Sequence, residues 1–157
     1  MTSYQRGRAA DLGLDNVESI TATAIDLPLA DQSATVIVSN YAYHHLSDAD
    51  KQRGLAEAFR VLRPGGRIVI GDMMFRPELG DRRSRRVIAA KVRAFLKRGP
   101  AGVVRLIKNL VRYALGQWEQ PADPEWWRQA LQRAGFIDIA LQPLEHEGGI
   151  VSARRPL

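Results

Sequence analysis

Apolar positions recur along this chain at two spacings, and the switches between them divide it into elements. Val17 to Thr23 (VESITAT) alternates β-branched residues with others, the period-two pattern of a strand. Ala34 to Asn40 (ATVIVSN) is a continuous apolar run of the kind buried on both faces of a parallel sheet. From Asp48 the spacing lengthens. Leu55, Ala58, Phe59 and Leu62 share one helical face, and Ser47 or Asp48 stands where a cap belongs. Pro64-Gly65-Gly66 stops that helix, and Arg67 to Met73 (RIVIGDM) reads as the next buried strand. The unit from Ala34 to Met73 is therefore expected to be a right-handed strand–helix–strand crossover.

The flanking segments follow the same rules. Residues 4–12 predict a short helix stopped by Gly13, and residues 83–98 and 100–116 predict two helices parted by Gly99-Pro100. In the second, Val103, Val104, Ile107, Leu110, Val111 and Leu115 recur at three- and four-residue spacing, with Arg105, Lys108 and Arg112 on the other side. Asp123-Pro124 opens a last helix, as cap and first helical residue, and Ala134-Gly135 closes it. Ile137 to Leu141 and Ile150 to Ala153 predict two final strands, joined through Pro143 and Gly148-Gly149. Alternation of helix and strand gives an α/β fold: a single domain over 1–157 with about five strands and parallel pairing.

Composition narrows the chemistry. The chain has 157 residues, enough for one core, and no cysteine, which excludes disulfides and thiolate metal sites. MTSYQRGRAADLG lacks the apolar segment of a signal peptide, and no apolar stretch nears the roughly 18 residues of a membrane span, so the expected address is cytoplasmic. The net charge of +6 is unevenly placed. Arg76 to Arg112 holds twelve Lys/Arg against two acids, a balance of +10, while the remainder sums to −4. The segment 76–116 is thus a basic helical insert. It fits a lid with a solvated basic face, a peripheral contact with an anionic membrane through 83–116, or nucleic acid. Sparse aromatics for stacking on bases (Phe95, Tyr113, Trp118) disfavour the last.

In an open parallel sheet, ligands bind beyond the carboxyl ends of the strands. That rule selects Thr23 to Asp26, Asn40 to His45 and Asp72 to Phe75. The adjacent pair His44-His45 admits three readings: a metal site, a catalytic base, or packing at the end of a strand. Neighbouring side chains diverge on a helix and point to opposite faces on a strand. The third histidine, His146, lies far along the chain, so no metal set is expected.

Taken in order, LGLDNVESI, AIDLPLADQSATVIVSNYAYHHLSD and EAFRVLRPGGRIVIGD resemble the middle of a class I S-adenosylmethionine-dependent methyltransferase, and WWRQALQRAGF resembles its carboxyl-terminal part. The resemblance implies a Rossmann-like sheet, S-adenosylmethionine as cofactor, and a small or lipid-like methyl acceptor. Where such enzymes often have an Asp that accepts from the adenine amino group, this chain has Thr23, whose hydroxyl can accept without the charge, and the resemblance leaves Ala24 and Ile25 as backbone contacts to adenine. Ser39, Asn40 and Tyr41 would lie along the cofactor, with His44 and His45 toward the methyl end or the substrate. Such enzymes look seven-stranded, and their first strand runs into a G-x-G-x-G loop; no G-x-G occurs in this sequence. The expectation is an N-terminally truncated sheet lacking the first two strands; one alternative is a truncated reading of a longer product, with Met1 an internal start and activity belonging to the longer form. Their loss would leave a gap of roughly 10 Å beside Ala34–Asn40. Re-pairing of 17–23 with 34–40 or a homodimer is expected to close it. A non-catalytic relative that binds a partner through this sheet edge or the basic helices is the competing expectation.

Overall fold

A computed structural model describes residues 2–74, 82–114, 120–144 and 148–157. Phe75, residues 76–81, Leu115, residue 116, Trp118 and His146, which entered the expectations above, lie outside the described residues.

Helix α1 (Thr2–Asp11) ends at Gly13, whose φ of +64° suits a residue without a Cβ. Residues 17–23 do not form the expected strand. Their one ladder-like contact is an isolated bridge between Thr23 and Asp26. Alternation makes a segment competent for a sheet, but a strand exists only with a hydrogen-bonding neighbour, and this segment has none. Nor do residues 17–23 re-pair with 34–40.

Strand β1 (Ala34–Asn40) pairs in parallel with β2 (Leu62–Met73), and helix α2 (Asp48–Val61) connects them. Ser47 caps α2: its Oγ accepts from the Asp50 N–H at 3.1 Å and donates to the Asp50 carboxylate at 2.8 Å. The helix stops at Val61 and β2 begins at once. Pro64-Gly65-Gly66 is a bulge inside the strand, across which pairing jumps from Ala34↔Leu62 to Val36↔Arg67. Gly65 sits at φ +74° and donates to the Arg155 and Pro156 carbonyls.

Helices α3 (Arg82–Leu96) and α4 (Pro100–Ala114) form a hairpin that packs chiefly on itself. Helix α5 (Pro124–Arg133) starts as expected, with the Asp123 carboxylate accepting from the Trp126 N–H at 2.8 Å. Strands β3 (Ile137–Pro143) and β4 (Gly148–Arg154) are antiparallel, and β4 inserts antiparallel beside β2. Among the described residues the sheet has four strands in the order β1-β2-β4-β3, so it is mixed rather than all parallel.

Helices α2 and α5 cover one face. Leu55, Leu62, Ile68, Ile70, Trp127, Leu131, Phe136 and Val151 fill the space between, all buried. Each such aliphatic side chain contributes about 1.5–3 kcal/mol on burial. Val36 and Val38 of β1 are 56% and 70% exposed. The expectation that β1 is buried on both faces therefore fails. Among the described residues its apolar run has a partner strand on one edge only, and α2 and α5 supply apolar neighbours to one face only.

Candidate functional site

The carboxyl ends of β1 and β2 meet a short 3-10 turn, Tyr43–His45, that leads into α2. The sharp change of direction falls on Tyr41, a non-glycine residue with φ +50°, whose N–H still donates to the Gly71 carbonyl at 2.8 Å. A left-handed conformation in a Cβ-bearing residue costs roughly 1–3 kcal/mol and marks positions that the surroundings hold in place.

What holds this turn is a buried acid. Asp72, at the end of β2, is 1% exposed and accepts from the His44 N–H at 3.0 Å and from the Met73 N–H at 2.7 Å. His44 Nδ1 lies 2.5 Å from the same carboxylate. An ionised carboxylate only accepts, so Nδ1 carries the proton in this contact. His45 is exposed, with its ring centroid 4.0 Å from that of His44. Tyr43 is buried, and burial together with the nearby Asp72 charge pushes its phenol up to about 12.

A second buried charge ties the turn to the chain before α5. Lys51 is fully buried and its Nζ donates to the Leu46 carbonyl at 2.9 Å, the Asp48 carboxylate at 2.9 Å and the Gln120 carbonyl at 2.5 Å. Gln120 in turn donates its N–H to the His44 carbonyl at 2.7 Å.

On the sheet face that α2 and α5 leave open lies a cleft of about 280 Å³. Ser39, Asn40 and Tyr41 form one side of it, Gly71 and Asp72 its floor, and Gly148-Gly149 the far side. The glycines matter sterically. A Cβ at Gly71 would come within 3.1 Å of Asn40 Oδ1, and one at Gly149 within 2.7 Å of Met74 Sδ. Ligand sites usually occupy about 300–1,000 Å³. This cleft, at about 280 Å³, stands at the lower end of that range.

The structure brings Ser39, Asn40 and Tyr41 together, with His44 behind them. Thr23, Ala24 and Ile25 are elsewhere, in a turn against α2. The Thr23 hydroxyl accepts from the Ile25 N–H at 3.5 Å, and the Ala24 carbonyl faces Gly54, where a Cβ would sit 3.3 Å from it. The loop that follows is pinned by α2. Leu27 donates its N–H to Glu57 at 3.0 Å, and Arg60 bonds the Leu27 and Leu29 carbonyls and Asp31. Hydrogen bonds from Arg60 and the Leu27 N–H hold the Glu57 carboxyl down at about 2. Among the described residues no three His, Cys, Asp or Glu side chains converge as metal ligands.

The sequence placed Asp72 in a strand-end segment without giving it a role, and it did not single out Lys51. An acid in the otherwise apolar strand RIVIGDM is a signal for the first. Lys51 carries none, since its stem looks like any solvated helical lysine.

Residues 1–70 match the family described as "Methyltransferase domain". A ubiquinone/menaquinone biosynthesis C-methyltransferase of Vibrio vulnificus is 29% identical over 156 residues, 99% of this chain and 57% of the relative. An uncharacterized methyltransferase of Geobacillus thermodenitrificans is 38% identical over 71 residues, 45% of this chain and 32% of the relative. In structure, a SAM-dependent methyltransferase from Aquifex aeolicus superposes with a TM-score of 0.61 at 19% identity, over 98% of this chain and 62% of its own. The chain thus spans between about a third and three fifths of these proteins.

Proposed function

We propose that the chain, whose residues 1–70 match the methyltransferase domain family, is a relative of the class I S-adenosylmethionine-dependent methyltransferases and serves methyl transfer to a small or lipid-like acceptor. The observation that carries this reading is the cleft at the carboxyl ends of β1 and β2, part of whose lining, Val38 to Tyr41 and Val69, falls in the segment matched by the family. The Vibrio relative's name, with its ubiquinone/menaquinone product, supports an acceptor of the lipid-like kind.

The residues present fit one side of the cofactor. Asn40 offers an amide, Tyr41 an exposed ring, and Gly71 and Gly148 leave room for close approach of a ligand to the backbone. S-adenosylmethionine, when bound, supplies an electrophilic methyl group. The chain's own part is positioning, which is most of what an in-line transfer between prealigned atoms requires. His44 and Asp72 do this by fixing the turn that carries Tyr41. His45, exposed beside them, is the group in reach of solvent to take a proton from an acceptor that must lose one.

A second reading has its own observation: the free edge of β1, with Val36 and Val38 exposed, suits a non-catalytic methyltransferase-like protein that captures a partner strand. Titration calorimetry with S-adenosylmethionine separates the two. Saturable one-to-one binding that Asn40→Ala weakens supports the first reading. No heat at any ratio removes cofactor binding from this chain and leaves the second.

A further inference from the structure

The α3–α4 hairpin is not used by the cleft, and its surface is unlike the rest of the molecule. From Arg82 to Arg112 the sequence holds eleven Lys/Arg and no Asp or Glu. On α4, Val104, Ile107 and Val111 are each more than half exposed, at 53%, 55% and 51%, and Val103 is 39% exposed. At 100° per residue these four fall within a single arc of about 100°. Arg105 and Lys108 stand beyond its edge. On α3, Ile88, Ala89, Val92 and Leu96, together with Arg85 and Arg93, line an apolar groove of about 430 Å³. The two helices are set close together. A Cβ at Gly102 would lie on the carbonyl oxygen of Phe95, so only glycine permits this crossing.

We propose that the hairpin docks on the surface of an anionic phospholipid bilayer. An aliphatic stripe bordered by cations, with no acid to repel phosphate, matches the boundary between acyl chains and charged headgroups. Valine, isoleucine and leucine side chains enter the acyl region, while lysine and arginine stems reach back to the headgroups. Nucleic acid would meet the same charge, but exposed aliphatic side chains contribute nothing to phosphate contacts or base stacking. No helix among the described residues is long and apolar enough to cross a membrane, so the contact is peripheral. This inference stands apart from the methyl-transfer reading and survives its failure.

The test is sedimentation of the intact chain with vesicles of phosphatidylcholine alone or mixed with phosphatidylglycerol. Binding is expected only to the mixed vesicles and should fall as salt rises. Val104→Glu with Ile107→Glu, both at exposed positions, should abolish it without altering circular dichroism or the melting temperature. Arg105→Gln with Lys108→Gln should weaken it by roughly 25-fold, about fivefold per charge. Equal binding to neutral vesicles, or none to either, overturns the proposal. So does a dimer in light scattering that the glutamate pair dissociates while vesicles stay unbound. Tight binding to duplex DNA that the glutamate pair leaves intact, without vesicle binding, would assign the surface to nucleic acid instead.

Discussion

His44 gives Asp72 two hydrogen bonds, one from its ring Nδ1 at 2.5 Å and one from its backbone N–H at 3.0 Å, across 28 residues of sequence. One carboxylate thereby fixes both the path of the chain leaving β1 and the orientation of an imidazole. With the Met73 N–H as its third donor, Asp72 satisfies groups that would otherwise be stranded in the core.

Replacing Asp72 by alanine should therefore cost about 3 kcal/mol, because buried donors are left without acceptors. Asp72→Asn should recover part of this, since its amide oxygen still accepts while its NH₂ opposes a donor. Urea unfolding measures both. A loss of under about 1 kcal/mol for Asp72→Ala would show that the carboxylate does not organise the turn.

Tyr43 makes stability fall at high pH. Its folded pKa, near 12, lies above the ordinary value of 10.0, so the folded state holds the phenolic proton more tightly than the unfolded chain. The contribution is complete below pH 10 and is lost as pH rises through 12. By about pH 11 the wild-type protein should have lost roughly 1.4 kcal/mol more than Tyr43→Phe, relative to neutral pH. Urea midpoints for the two proteins across this range give the difference; parallel curves would contradict it.

Arg155 closes the carboxyl end of α2 from the far terminus of the chain. Its Nη1 donates to the Leu62 carbonyl at 2.6 Å, Phe59 at 2.7 Å and Arg60 at 3.3 Å, and the guanidinium lies 4.6 Å from the Phe59 ring centre. Helix-end carbonyls have no partner within the helix, and a cation there also meets the negative end of the dipole. Arg155→Ala should lower stability by about 2 kcal/mol, and Arg155→Lys, which keeps the charge without the planar fork, by about half as much. Thermal melting of the pair would reveal whether the fork matters.

Lys51→Met tests the link between the histidine turn and the chain before α5. Methionine fills the stem's volume but leaves the Leu46 and Gln120 carbonyls without their donor. A cost of about 2–3 kcal/mol is expected. The diagnostic readout is local. Hydrogen exchange at the Gln120 amide, which donates to His44, should accelerate more than exchange within β2. Uniform acceleration would mean that Lys51 acts only on global stability.

Several elements were legible because their causes are local. Ser47 and Asp123-Pro124 cap helices through bonds to residues three positions on, and Gly13 and Gly135 end helices through their own left-handed φ. Residues 17–23 read as a strand for an equally local reason, yet remain irregular because a strand is completed by a neighbour. The site divides in the same way. Residues 39–41 could be placed at a strand end from the pattern alone, while Asp72 emerged as the organiser of the turn only when β2 lay beside β1.

Apolar spacing, caps and glycines by themselves determined most helix starts and the parallel β1–α2–β2 unit, and the order of its motifs carried the resemblance to a family. Each of these depends on contacts within a few residues or on the order of segments. Tertiary structure decided the rest: the insertion of β4 between β2 and β3, the open face and free edge of β1, and the burial of Asp72, His44 and Lys51. Those depend on which segments meet across the fold, where the burial of a charge or the partner of a backbone N–H is settled by distant residues.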